Sequence, residues 1–197
     1  MQDPSRPVRV AVLVGSVRPG SNTGKAAALL AAELAAEPDV TVDRLDPRLI
    51  ELRLPGSPGH AAEVAAVEQD LKARVGACQG VILVTPEYDG SYSAVMKLLI
   101  EHLGYPSVLA GLPVIILGVA SGRIGADRAI EHLRSVCLHI GAIVVPGSRS
   151  LATVHATFDA DGKCMVPEAE AMVRDVARAL VGFVRRLKNP RSSDGDG

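Results

Sequence analysis

The fold is decided by residues 8 to 35, VRVAVLVGSVRPGSNTGKAAALLAAELA. An apolar run, Val8–Val14, stops at Gly15. A loop rich in Ser, Arg, Pro, Gly, Asn and Thr follows, and then an Ala/Leu-rich stretch with helical composition begins. The run does not alternate with polar residues, so it suits a strand covered on both faces, as in a parallel sheet. The passage from strand through a short polar loop to helix is the opening of a βα unit.

Working outward, four more short apolar runs appear: Val40–Leu45, Val81–Thr85, Val114–Val119 and Ala142–Pro146. Helical patterns separate them, at Thr23–Ala36, Ala61–Ala77, Ala94–Leu103 and Ile124–Ile140, and a last one, Glu168–Leu187, follows the fifth run. Gly76, Gly80, Gly104, Gly111 and Gly141 fall near the helix ends, where a left-handed residue helps the chain turn. Five strand–helix repeats predict a three-layer α/β/α sandwich with right-handed crossovers. The expected sheet has five parallel strands in the order 2-1-3-4-5.

The bulk composition agrees with one domain over residues 1–197. Its ordered core would run from about 8 to 188, with ends at residues 1–7 and 189–197 that read as disordered. Apolar residues make up 48% of the chain, and the formal net charge is −1. That charge gives no footprint for nucleic acid. No apolar run approaches the roughly 20 residues of a membrane span, and the first residues lack the apolar core of a secretory signal. Three cysteines, Cys78, Cys137 and Cys164, are widely spaced. They read as reduced thiols in a cytoplasmic protein, with Cys78 and Cys137 as small core residues. The longer connection Leu151–Pro167 contains DADG, a turn whose later spacing does not continue as a calcium loop.

A helix N-terminus presents unpaired N–H groups and the positive end of a dipole, so the first loop is a natural anion seat. Spacing excludes two kinds of guest. Gly24-Lys25 is followed by Ala26, and Pro19 stands where a Walker loop needs its first glycine. Gly15-Ser16-Val17 has no second glycine, so the dinucleotide fingerprint fails as well. What remains is a loop dense in side-chain donors: Ser16, Arg18, Ser21, Asn22 and Thr23. Such a loop can wrap a terminal phosphate monoester, with Arg18 giving a charge-assisted contact. The alternative is a helix capped by Ser21 or Asn22, with Arg18 solvated.

The third strand ends in a second unusual loop, VILVTPEYDGSYSAVMKLLIEHL, residues 81–103. In a 2-1-3-4-5 sheet the first and third strands flank the point where strand order reverses, and ligands bind outside the carboxyl ends of strands there. Both loops are therefore expected to meet at one crevice. The chain holds three Tyr, two Phe and no Trp. Two of the Tyr, Tyr88 and Tyr92, lie in this one loop, which suggests a flat partner. Tyr packed over the loop base is the competing reading.

GSVRPGSNT and TPEYDGSYSAVMKLLIEHL together resemble the NADPH-dependent FMN reductase family of flavodoxin-like proteins. That family carries a G-S-x-R-x-x-S loop and a P-E-Y-N-x-S/G segment followed by L-K-N. The resemblance spans Val8 to about Pro146. It implies that Ser16, Arg18, Ser21, Asn22 and Thr23 hold the FMN phosphate. Pro86, Glu87, Tyr88, Asp89 and Gly90 would line the flavin ring, with backbone N–H groups from Glu87 to Gly90 meeting its polar edge. ASGRIGADRAIEHLR resembles the family's S-x-G-x-x-G-G stretch, which implies that Ser121, Gly122 and Arg123 approach the other edge. The sequence departs from the family at three places. Asp89 stands where Asn is usual, Met96-Lys97-Leu98 replaces L-K-N, and Ala126-Asp127 replaces a pair of small residues.

The implied activity is that of an oxidoreductase in which hydride passes from NADPH or NADH to bound FMN. Electrons then pass to a small-molecule acceptor: free flavin, a quinone, an azo compound or a metal oxyanion. Such chemistry centres on the cofactor and needs no catalytic side-chain set. It is consistent with five His residues scattered along the chain. Two other readings stand beside it: a flavodoxin-like FMN carrier or sensor that does not use NAD(P)H, and a phosphate-ligand enzyme without flavin. Near-neutral charge weighs against the carrier. Apolar stripes on Ala94–Leu103 (Val95, Leu98, Leu99, Leu103) and Ile124–Ile140 (Ile130, Leu133, Val136, Cys137) read first as sheet-packing faces. The family resemblance implies that these helices also form a homodimer or homotetramer.

Overall fold

A computed structural model describes residues 7–58 and 61–189. The expected disordered ends fall almost entirely on residues 1–6 and 190–197, outside the described residues. The elements are β1 (Val8–Val14), α1 (Asn22–Ala35), β2 (Val40–Leu45), α2 (Ala61–Gly76), β3 (Gly80–Tyr88), β4 (Ser91–Tyr92), α3 (Ala94–His102), β5 (Pro113–Val119), α4 (Asp127–His139), β6 (Ile143–Val144), β7 (Arg149–Leu151) and α5 (Pro167–Lys188). Short 3₁₀ turns occupy Pro47–Leu49 and Val154–Ala156.

The main sheet runs β2-β1-β3-β5-β6, all parallel, which is the order 2-1-3-4-5 once the small antiparallel β4 is set aside. Period-two alternation sends successive side chains to opposite faces. Val8, Val10, Val12 and Val14 of β1 face the layer that contains α1 and α5, together with Ile115, Leu117 and Val119 of β5. Ala11 and Leu13 face the layer of α2, α3 and α4, together with Val114 and Ile116. This two-sided burial is why the strands read as continuous apolar runs. The helical stripes follow the same logic: Leu99, Leu103, Ile130, Leu133 and Cys137 are buried against the sheet.

Two strand expectations are corrected. The fifth strand is not one run over Ala142–Pro146. It is split into β6 and β7, both parallel to β5 but separated by residues 145–148, which include Pro146-Gly147. Pro146 has no N–H for the ladder and Gly147 sits at φ +110°, so the strand cannot continue. Ser148 Oγ accepts the Ile116 N–H at 3.2 Å across the gap. The third strand, in turn, extends beyond Thr85 to Tyr88 and folds back as β4. The sheet thus has seven strands rather than five, with the fold class unchanged.

Helix starts follow cap chemistry. Ser21 Oγ accepts the Gly24 N–H for α1, Ser93 Oγ accepts the Met96 N–H for α3, and Pro167 opens α5 where a missing N–H costs nothing. The helix α4 begins at Asp127, not at Ile124 as its pattern suggests, because Gly125 at φ +81° ends a turn closed onto Gly122. At the β2 edge, Asp46 takes both Arg44 and Arg48, and Asp43 takes Arg74. Among the described residues no helix is long and apolar enough to cross a membrane.

Candidate functional site

Loops leaving the C-terminal ends of β1, β3 and β5 enclose one cavity of about 580 Å³. The first loop keeps contact with the sheet through Gly15, whose N–H donates to Val84 O at 2.8 Å. Ser16 is buried, and its Oγ accepts the Arg18 N–H at 3.3 Å. It therefore shapes the loop and does not line the cavity, unlike Arg18, Ser21, Asn22 and Thr23. With Ser21 capping α1, the N–H groups of Asn22 and Thr23 have no acceptor among the described residues. Arg18 has no carboxylate partner among them either. The positive end of α1 and one unpaired guanidinium thus face the same space.

The second loop is a tight hairpin. Asp89 and Gly90 both adopt left-handed backbone, φ +50° and +74°, and join Tyr88 to Ser91. A two-residue turn of this hand matches strand twist, and Asp-Gly is a preferred pair for it. Pro86, Glu87, Tyr88, Asp89 and Gly90 all line the cavity. Tyr88 is exposed there, whereas Tyr92 packs against both the sheet core and Ala126 and Ala129. The Glu87 carboxylate turns to α4: Oε2 accepts the Ala129 N–H at 3.2 Å, and Oε1 lies 3.6 Å from Arg128 Nε. Glu87 therefore caps α4 from another element, at the helix end that favours an anion.

The third loop, 120–126, is strapped by residues that the sequence does not flag. Ala120 donates to Leu151 O at 2.8 Å, Val154 to Ala120 O at 3.1 Å, and Thr153 to Gly122 O at 3.2 Å. Ser150 Oγ accepts the Ala126 N–H at 2.6 Å. A Cβ on Gly125 would lie 2.2 Å from that Ser150 oxygen. Held in this way, Ser121, Gly122 and Arg123 line the open side of the cavity.

Residues missed by the sequence reading complete the lining: Pro19, Gly20, Val119, Ala120, Ile124, Gly125, Arg128 and Val154. Most are neighbours of the motifs. Val154 arrives through the strap, and Arg128 sits in the first turn of α4. Arg128 lies within the third motif, five residues after Arg123, whereas no local signal marks Val154. The rim carries three guanidinium groups, Arg18, Arg123 and Arg128, against the carboxylates of Glu87 and Asp89, so it favours an anionic guest. Away from it, burial pushes the thiols of Cys78 and Cys137 up to about 11 and 12. Both stay protonated near neutrality, in keeping with core packing.

The sequence model of the NADPH-dependent FMN reductase family matches residues 8–156. The chain is 28% identical to an NAD(P)H-dependent FMN reductase of Pseudomonas aeruginosa over 92% of this chain and 97% of that one. It is 30% identical to a 2-hydroxy-1,4-benzoquinone reductase of a Burkholderia species, over 90% and 97%. Among solved structures, it superposes with a TM-score of 0.75 on a flavoenzyme NAD(P)H:(acceptor) oxidoreductase of Paracoccus denitrificans. That match has 25% identity and covers 91% of this chain and 98% of the other.

Proposed function

The chain belongs to the NADPH-dependent FMN reductase family, and from that premise we propose that its cavity seats FMN across the ends of β1 and β3 and reduces a small planar acceptor. It is an FMN-dependent NAD(P)H oxidoreductase. FMN bound there, held at its phosphate by Arg18, Ser21, Asn22 and Thr23, would supply the redox chemistry between NAD(P)H and an acceptor. The protein's own task is to hold, orient and bias.

The observation that carries this reading is the set of unspent donors at the α1 N-terminus. The free N–H groups of Asn22 and Thr23, the Ser21 and Thr23 hydroxyls and the Arg18 guanidinium match a phosphate monoester, which offers three oxygens. Ser16 acts one step back, by fixing the Arg18 backbone. The ring would lie along Pro86–Gly90, where the hairpin backbone and the face of Tyr88 are accessible. Ser121, Gly122 and Arg123 would border its other edge. The Glu87 carboxylate is engaged by α4, so the ring would meet the backbone at Glu87 rather than its side chain. Asp89, as a carboxylate, accepts hydrogen bonds and does not donate them, so hydrogen bonds to the ring from this turn come from main-chain N–H groups.

We read residues 8–188 as one domain serving this one site. For the acceptor we propose free flavin, a quinone, an azo compound or a metal oxyanion; Tyr88, Ile124 and Arg123, which line the cavity, offer a ring, an apolar side chain and a cation to such a guest. An absorbance spectrum of purified protein tests the whole reading. The expected result is a flavin spectrum that bleaches on anaerobic NADPH addition and returns when a quinone is added. A colourless protein that takes up no FMN on titration would sink it.

We also infer self-association. A second cavity of about 650 Å³ lies between the C-terminal halves of α3 and α4, where Ile100, Val136, Ile140, Pro55 and the 87% exposed Tyr105 share the lining with Lys97, Glu101, Ser135 and His139. Its occupant is a second copy of the chain, in a homodimer or homotetramer. Light scattering showing a monomer with flavin bound would remove this inference.

A further inference from the structure

The two cofactor loops are tied to each other by one buried hydroxyl, and the tie replaces a hydrogen bond that the sequence has deleted. In the parallel register, Val14 is level with Val84, and the Gly15 N–H donates to Val84 O at 2.8 Å. Continuing that ladder, the Gly15 carbonyl would next accept from the N–H of residue 86. Residue 86 is proline and has none. The donor comes instead from Ser93: its Oγ–H donates to Gly15 O at 2.6 Å, while the same oxygen accepts the Met96 N–H at 3.1 Å. Ser93 is 2% exposed. Its own N–H donates to Thr85 Oγ1 at 3.2 Å, and Thr85, fully buried, donates to Pro86 O at 3.0 Å.

We propose that Ser93 is a positioning residue that sets the distance between the phosphate-holding loop after β1 and the ring-holding hairpin after β3. The proposal rests on the reading of those two loops as the FMN seat. Gly15 is where β1 ends and the phosphate loop begins; Pro86 is where the ring-lining segment begins. Ser93 bonds the first directly and the second through Thr85. The spacing is tight, since a Cβ on Gly15 would lie 3.0 Å from Val84 O and 3.1 Å from Ser93 Oγ. A ligand that binds both loops through a fixed linker gains affinity only when the two half-sites are held at that linker's span. Ser93 therefore acts on the advantage of FMN over its halves, not on either half alone.

The test titrates apo-protein with FMN and with riboflavin, which has the ring but no phosphate, following flavin fluorescence. In Ser93→Ala, riboflavin affinity is expected to stay within about twofold of the parent while FMN affinity falls about tenfold. A second variant restores the ladder donor: Pro86→Ala combined with Ser93→Ala supplies an N–H at position 86 and is expected to regain most of the FMN-to-riboflavin ratio. Pro86→Ala alone serves as its reference. Equal weakening of both ligands in Ser93→Ala overturns the proposal, as does unchanged FMN binding or no recovery in the double variant. If neither Ser93→Ala nor the double variant folds, Ser93 is a helix cap and the proposal falls. A parent protein that binds neither flavin defeats the cofactor reading instead, which is a different result.

Discussion

The loop after β1 and the loop after β3 border the same cavity and treat their polar groups in opposite ways. In the first, the donors that face the cavity are unspent: two backbone N–H groups and the Arg18 guanidinium have no partner among the described residues. In the second, most polar side chains are spent on the protein, and Asp89 and the main-chain N–H groups of the turn are left to the cavity. Glu87 caps α4, Ser93 and Thr85 bond the main chain, and Ser91 Oγ meets His132 Nδ1 at 3.0 Å. Committed groups supply geometry and uncommitted groups supply affinity, so a substitution's consequence depends on which kind it removes.

The largest effect is expected where committed geometry is broken. Gly125→Ala places a methyl 2.2 Å from Ser150 Oγ and forces a side chain into left-handed backbone at φ +81°. The rotation that relieves the clash breaks the Ser150–Ala126 bond. Together these cost about 3 kcal/mol, read as a lower denaturant midpoint. An unchanged midpoint would mean that the strap 150–154 yields freely and that the third loop is not held by it.

Arg18→Ala removes an uncommitted group. Its expected signature is the reverse: FMN affinity falls about thirtyfold, near 2 kcal/mol, while stability and riboflavin affinity hold. A drop in the unfolding midpoint comparable to that for Gly125→Ala would erase the contrast between the loops.

Asp46 sharpens the comparison from outside the cavity. It is 4% exposed, and the Arg48 and Arg44 guanidiniums beside it hold its carboxyl well below the ordinary 3.8. A depressed native pKa contributes stability that is fully present above the unfolded value and fades as pH falls below it. Asp46→Asn is therefore expected to cost about 1.5 kcal/mol at pH 7 with FMN affinity intact. The gap between variant and parent closes as the pH is taken below about 3.8. A gap constant from pH 7 to pH 2.5 would contradict the pairing.

The smallest effect concerns the thiols. Cys78 and Cys137 are buried with raised pKa values and Cys164 is partly exposed, so a thiol reagent should titrate one group per native chain and three after unfolding. Rapid reaction of two or more native thiols would show that the core opens readily. Blocking Cys164 should leave activity unchanged.

Much of this arrangement is legible in residues 8–35 and 81–103. The strands Val8–Val14 and Val40–Leu45 coincide with their apolar runs because both are short stretches bounded by turn residues. The first and second loops are recognisable because their unusual residues are contiguous. What the sequence hides is non-local. The Asp89-Gly90 turn carries a local hairpin signal, yet its return strand is only Ser91–Tyr92 and has no periodicity to detect. That Glu87 serves α4, 42 residues on, and that Ser93 stands in for the N–H missing at Pro86 are consequences of packing and register. The split at Pro146-Gly147 has a residue-type signal of its own, which the apolar run Ala142–Pro146 masks by including the proline.

That split bears on solubility. A sheet of this kind has two outer strands whose free main-chain groups invite pairing with another molecule. Here one outer position is occupied by two fragments, of two and three residues, offset by a kink, and the second fragment opens on the charged, exposed Arg149. The opposite outer strand, β2, carries Asp43 and Arg44. Neither border offers a long flat template, so a chain that opens a cavity at its strand ends is guarded against growing into a ribbon along its sides.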